Sequence, residues 1–139
     1  MILEINISNH LKINNINHDL IVSWLDKCAT LHNKKISVLE IHILTDEELL
    51  DINKQIFNRD YLTDVISIAY PGPNDISGSI FISYETVKEN AEKYSVSAEE
   101  ELNRVIIHGL LHILGFEDST TEEKENMRNW EDKCLKLLV

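Results

Sequence analysis

Apolar and polar side chains alternate through Ile2-Leu3-Glu4-Ile5-Asn6-Ile7 with the two-residue period of a half-buried strand, and Asn14-Asn15-Ile16-Asn17 follows as a turn. From Asp19 the period changes: Leu20, Ile21, Trp24, Leu25, Cys28 and Leu31 recur at helical spacing and predict an amphipathic first helix. Ile36 to Leu44 is a β-branched alternating stretch marked by Val38, Ile41 and Ile43. The Thr45-Asp46-Glu47-Glu48 that follows has the hydroxyl and carboxylate spacing of a capping box. A strand therefore feeds a helix, which should end near Asn58. Thr63 to Ala69 reads as a strand, Pro71-Gly72-Pro73-Asn74-Asp75 as a turn and Gly78 to Ser83 as the neighbouring strand. Beyond that point the composition is helical: Tyr84 to Tyr94 is one segment, and Ser97-Ala98-Glu99-Glu100 and Thr120-Thr121-Glu122-Glu123 are two further capping boxes. Four strands crowded into the first 85 residues, with about five helices, predict an α+β domain over residues 1–139, a roughly four-stranded mixed sheet packed against helices.

Composition supports a folded domain, since 43% apolar residues in 139 supply a real core and no linker or repeat divides the chain. The formal charge is −11, from 13 basic and 24 acidic residues, which excludes a general nucleic-acid coat protein. A nucleic-acid substrate requires basic residues gathered locally, or a bound cation that inverts the field. Cys28 and Cys134 lie singly within helical patterns, so they read as buried thiols in a reducing compartment and not as a disulfide framework or a zinc clip. Met1 to His10 lacks the pattern of a secretory signal. The longest apolar run, Val105 to Phe116, is too short to span a bilayer and is broken by two histidines. A cytosolic protein with no membrane partner is expected.

The chemistry concentrates in His108-Gly109-Leu110-Leu111-His112-Ile113-Leu114-Gly115-Phe116-Glu117-Asp118. Two histidines four apart on a helix project from one face, where two nitrogens can reach one ion at about 2.0–2.1 Å. The helix is apolar nearly all round, which predicts burial, and buried imidazoles need partners that a metal supplies. Gly115 sits where the helix would reverse, and Asp118 offers an oxygen that can return to the same ion; Glu117, its neighbour, is the alternative carboxylate. Nitrogen-rich ligation with one carboxylate and an open position favours one Zn²⁺, although such sites accept other divalent metals. A bound cation brings the pKa of its water toward about 7 and polarises a carbonyl or phosphoryl oxygen, so the site reads as hydrolytic. The spacing resembles that of the metzincin peptidases, whose motif places a glutamate base directly after the first histidine; here that position is Gly109.

The same segment resembles the YbeY family of bacterial metal-dependent endoribonucleases that act in ribosomal RNA maturation and ribosome quality control. His108 to Phe116 matches the family's His-Gly-x-Leu-His-x-x-Gly-Tyr core, and Thr63-Asp64-Val65-Ile66-Ser67, preceded by Asn53 and Asp60, resembles its Pro-Thr-Asp-Val-Leu-Ser strand. Gly78-x-Ile80-x-Ile82-Ser83, Glu89-Asn90-Ala91, Glu101-Leu102, and Met127 with Glu131 extend the match. The resemblance implies single-stranded RNA, in particular ribosomal RNA precursor, as substrate, ribosomal particles or proteins as partners, and His108, His112 and Asp118 as ligands, with Asp118 standing where the family has a third histidine. Phe57 falls where the family has an arginine proposed to contact phosphate, Leu62 where it has a proline and Ser79 where it commonly has an aspartate.

Lys54 and Arg59 flank the expected cleft and are the candidate substrate-binding cations. Lys34, Lys35, Lys88, Lys93 and Arg104 are further basic residues that convergence near the ion would recruit. Tyr61 and Tyr70 border the same strand and are candidates for base stacking. Trp24 and Trp130 are assigned to packing, and His10, His18, His32 and His42, which show no metal spacing, to structure. No general base is identified; metal hydroxide or the RNA's own 2′-hydroxyl supplies the nucleophile. A different class of reading is a ribosome-assembly factor that binds RNA or a ribosomal protein and uses its metal structurally.

Overall fold

In the computed structural model, which describes residues 3–70, 72 and 75–138, nine elements follow in an α+β order, with all four strands ahead of the last three helices. They are β1 (Glu4–Ser8), α1 (His18–Leu31), β2 (Ile36–Leu44), α2 (Asp46–Phe57), β3 (Val65–Tyr70), β4 (Ile76–Ser83), α3 (Tyr84–Lys93), α4 (Ala98–Ile113) and α5 (Thr121–Leu135). Ile2, Pro71, Pro73 and Asn74, part of the expected first strand and of the expected turn, lie outside the described residues.

Side chains close most helix starts. Asn17 accepts from the Leu20 N–H, and Thr45 and Thr120 form complete capping boxes with Glu48 and Glu123. The box expected at Ser97 forms only in half. The Ser97 hydroxyl accepts from the Glu100 N–H at 3.0 Å, but the Glu100 carboxylate takes the hydroxyl's own proton at 3.2 Å instead of reaching back to the backbone.

The sheet has the order β1-β2-β4-β3, with β1, β2 and β4 parallel and β3 antiparallel at the edge. It is mixed and four-stranded, as its sequence pattern predicts. In β2 the buried series is Leu39, Ile41 and Ile43, and Val38 is only half-buried; a register irregularity between Ile36 and Val38 resets the alternation there. One face of the sheet packs Leu39, Ile41, Ile43, Ile80 and Ile82 into the main core with Trp24, Leu25, Ile106 and Leu110. Each such side chain removed from water contributes about 1.5–3 kcal/mol. The Trp24 indole N–H donates to the Cys134 carbonyl at 2.7 Å and ties α1 to the end of α5, and both cysteines are buried free thiols. The other face is smaller: Leu44, Leu49 and Ile66 pack beneath α2. No helix among the described residues is long and apolar enough to cross a membrane.

Two glycines let α4 lie close on the sheet. A Cβ at Gly109 would stand 2.8 Å from Ile80 Cγ2 and 3.1 Å from Ser67 Oγ. A Cβ at Gly78, on β4, would overlap the Ile68 carbonyl oxygen and stand 2.8 Å from Ile113 Cδ1. Backbone cannot give way as a side-chain tip can, so Gly78→Ala is expected to cost about 1–3 kcal/mol. Urea denaturation checks this, as a lowered midpoint at unchanged slope.

Candidate metal centre

α4 carries its buried side chains at Leu102, Val105, Ile106, Leu110 and Ile113, which leaves His108 and His112 half-buried at the edge of the packed face. Their rings meet edge to face, with the two Nε2 atoms 3.0 Å apart. The helix then ends in a Schellman reversal: Gly115 takes φ +108°, its N–H donates to the His112 carbonyl at 3.0 Å, and the Phe116 N–H donates to the Leu111 carbonyl at 3.0 Å. Phe116 is held in place by His32, whose ring lies 5.0 Å from Phe116 and 4.4 Å from Trp130. The reversal returns Asp118 Oδ2 to 3.4 Å from His108 Nε2 and 3.3 Å from His112 Nε2. Glu117 is exposed and stands outside this group.

The three donor atoms fit a metal. A tetrahedral ion with ligands at 2.0–2.1 Å needs its donors about 3.3 Å apart, and the three separations here are 3.0, 3.3 and 3.4 Å. His108 presents a lone pair to that point. Its Nδ1 lies 2.6 Å from Glu131 Oε2, and a carboxylate can only accept, so the proton sits on Nδ1 and Nε2 faces inward. Glu131 is itself buried and receives Arg104 Nη1 at 2.9 Å on its other oxygen, while Arg104 Nη2 donates to Asp132 at 2.7 Å. Burial of the His108 ring disfavours its charged form, but the hydrogen bond and charge of Glu131, with Asp118 and Asp64 behind, outweigh it and raise the pKa above the ordinary value. Sequence reasoning had no signal for this role of Glu131 beyond its place in a family match. It also grouped Arg104 with cations for RNA, whereas the structure commits that side chain to Glu131 and Asp132.

Two clefts meet at the donor triad, and both are lined by Asp64, His108 and Asp118. The first, about 530 Å³, runs between α4, β3 and the loop after α2, and includes Phe57, Arg59 and Tyr61. Asn53, buried, holds that loop by donating to the Tyr61 carbonyl at 2.8 Å, and Asn58 in the left-handed region turns it out of α2. Arg59 lies with its guanidinium carbon 5.4 Å from the centre of the Phe57 ring, so the cleft keeps a cation beside Phe57. Lys54 does not join it: the ammonium pairs with Asp60 at 3.4 Å and lines neither cleft. Nor do Lys34, Lys35, Lys88 or Lys93. Tyr61 is exposed in the cleft, whereas the Tyr70 hydroxyl is bonded to Ser79 at 2.6 Å outside it. The second cleft, about 710 Å³, lies between α4, α5 and the end of α3.

Glu101 sits in that second cleft as a buried carboxyl, and burial is the main cause that raises its pKa. Arg104 opposes the shift, and the charges of Asp64 and Glu131 add to it.

A family model described as Endoribonuclease YbeY matches residues 4–139. A protein named Endoribonuclease YbeY from Bacteroides fragilis is 40% identical over 114 residues, 82% of this chain and 82% of that one. One of the same name from Flavobacterium psychrophilum is 42% identical over 116 residues, 84% of this chain and 83% of the relative. A solution structure of a Thermotoga maritima protein superposes with a TM-score of 0.65 at 24% identity, covering 96% of this chain and 90% of that one, which supports the fold.

A carboxyl whose folded pKa lies above its unfolded value stabilises the protein below the unfolded value and loses that contribution as pH rises through the folded one. Ionised Glu101 is therefore a cost at neutral pH. Glu101→Gln is expected to raise the melting temperature at neutral pH, with the gain over wild type vanishing as the pH falls below the ordinary value of 4.5. Melting curves across that range check it; a gain that persists unchanged in acid contradicts the assignment.

Proposed function

Because this chain belongs to the YbeY family of endoribonucleases, we propose that it cleaves phosphodiester bonds in single-stranded RNA, with ribosomal RNA precursors as substrate. It is a metal-dependent hydrolase, and in the cell it serves rRNA maturation and ribosome quality control, acting as one cytoplasmic domain on RNA within ribosomal particles. The observation that carries this reading is the convergence of His108, His112 and Asp118 where two clefts meet. A groove open on both sides of the donor triad admits a chain that enters and leaves, which suits internal cleavage.

His108, His112 and Asp118 would hold one divalent ion, Zn²⁺ by the character of the donors. Bound there, the ion supplies Lewis-acid polarisation of a phosphoryl oxygen and a water of lowered pKa. The chain's own residues do the positioning. Glu131, braced by Arg104, keeps the His108 proton on Nδ1 and its lone pair on the metal side. Arg59 replaces the family arginine as the phosphate contact of the first cleft, with Tyr61 as its stacking surface. Lys54, set apart with Asp60, adds only diffuse attraction. Phe57 is the one feature that favours the second reading, an assembly factor with a structural metal.

Elemental analysis of the purified protein is expected to find about one zinc per chain. Wild type should cleave single-stranded RNA and stop on chelation, and His112→Ala should lose both metal and cleavage, the latter by about 100-fold or more. If His112→Ala lacks metal yet cleaves like wild type, the hydrolase reading fails. A metal-loaded wild type that is inert on RNA but sediments with ribosomal particles supports the assembly factor instead. A denatured protein substrate should show no metal-dependent cleavage.

Glu131→Gln is expected to weaken metal binding by about 10–100-fold. Competition against a chromophoric chelator reads this directly, with helix content by circular dichroism unchanged. An affinity equal to wild type would remove Glu131 from the positioning role.

A further inference from the structure

The first cleft has Arg59 and Tyr61 to receive RNA on one side of the donor triad, but a strand cut internally must also be held on the other side. The second cleft offers the space, about 710 Å³, and it shares Asp64, His108 and Asp118 with the first. Its lining carries both signs, with Asp64, Glu100 and Glu101 beside the groups already described. Arg104 pairs with Glu131, which also accepts from His108 Nδ1, and Asp118 belongs to the triad. Two cations remain on its wall: Lys124 and Arg128, both exposed and one turn apart on α5. Among the described residues the ion pairs of lysine and arginine are Lys54 with Asp60 and Arg104 with Glu131 and Asp132, so neither Lys124 nor Arg128 is in an ion pair, and the Arg128 charge acts on Glu101 across the cleft. Four residues of helix set them about 6 Å apart along its axis, which suits successive phosphates of an extended strand. The far end of the cleft is walled by the exposed side chains of Tyr94 and Val96, an apolar surface for a base.

We propose that the cleft between α4 and α5 is a second RNA subsite, in which Lys124 and Arg128 bind the backbone phosphates of the strand on the side of the metal centre opposite Arg59. The proposal rests on the RNA-cleavage reading above and extends it from the point of cleavage to the path of the substrate. The lining also holds Asp64, Glu100 and Glu101, so a strand would be held there by these two cations on the outer wall and not by a positive field over the whole cleft.

The test compares wild type, Lys124→Ala/Arg128→Ala and a control pair, Lys34→Ala/Lys35→Ala, which removes equal charge outside both clefts. Fluorescence anisotropy with a labelled oligouridine of about 12 nucleotides, in chelator and over a series of salt concentrations, gives Kd and its salt dependence. The α5 double variant is expected to bind on the order of tenfold more weakly, with a logarithmic salt slope shallower by about 1.4, while the control keeps nearly wild-type values. With metal restored, the α5 variant should raise KM and leave kcat close to wild type. An α5 variant that matches wild type in Kd and slope, or weakens binding no more than the control pair, overturns the subsite while RNA cleavage by wild type stands. A wild type that neither binds nor cuts RNA overturns the reading beneath it and the subsite together. Both residues are exposed, so unchanged melting curves are expected for every variant.

Discussion

The close contact between α4 and the sheet governs how this molecule is arranged. At Gly109 the helix backbone comes so near Ile80 and Ser67 that no Cβ fits, and at Gly78 the strand yields the same space from the other side. Once that contact is made, the rotation of α4 about its own axis is set. The apolar stripe through Val105, Ile106 and Leu110 enters the core, and His108 and His112 emerge at the groove beside β3. The Schellman turn at Gly115 then needs only to reverse the chain for Asp118 to meet both rings. The triad is thus a consequence of helix-on-sheet packing plus one left-handed residue.

Electrostatics complete what packing begins. Two imidazoles and a carboxylate within hydrogen-bonding distance of each other share lone pairs aimed at one point, an arrangement that is costly without a cation. Glu131 makes the arrangement more specific, because an acceptor on Nδ1 forbids the tautomer that would let His108 donate into the triad. The charge on Glu131 is balanced in turn by Arg104, which is anchored on Asp132. Three of the chain's acidic groups, Asp118, Glu131 and Asp132, are thus bound into the centre and its bracing, while Arg59, Lys124 and Arg128 lie on the cleft walls beside it.

Much of this was legible in the sequence because it depends on short-range chemistry. The capping hydroxyls at Thr45 and Thr120, the end of α2 near Asn58 and the four-residue spacing of the histidines act within one turn of helix, so periodicity and residue type reveal them. The preference for Asp118 over Glu117 was legible too, since the reversal at Gly115 fixes which of two adjacent carboxylates turns inward. What escaped depends on contacts between distant segments. Glu131 reaches His108 from 23 residues downstream; its helical spacing with Met127 and Cys134 puts it on the buried face of α5, but the residue it meets there depends on how α5 packs on α4. Arg104 and Lys54 look like any surface cations until the fold supplies Glu131 and Asp60. Val38 is half-buried, where the alternation marks it with Ile41 and Ile43, because a register irregularity between Ile36 and Val38 shifts the pattern, and such an irregularity has no side-chain signature here.

The position after the first histidine decides which hydrolytic chemistry the frame can support. In the metzincin pattern that residue is a glutamate, which must face the metal-bound water to take its proton and pass it to the departing amine. Here the same position points at the sheet, against Ile80 and Ser67, where even a Cβ would stand 2.8 Å from Ile80 Cγ2, so a glutamate side chain has no room and would face away from the metal-binding groove. The contact that aims His108 and His112 at the groove is therefore the contact that excludes a peptidase base. A ribonucleic acid places a lighter demand on the site, because each ribose brings a hydroxyl beside its own phosphate, whose proton can pass to solvent, and the leaving alkoxide is a far weaker base than the anion of an amide nitrogen. The tight packing that removed one substrate class leaves the polymer whose backbone carries a nucleophile of its own.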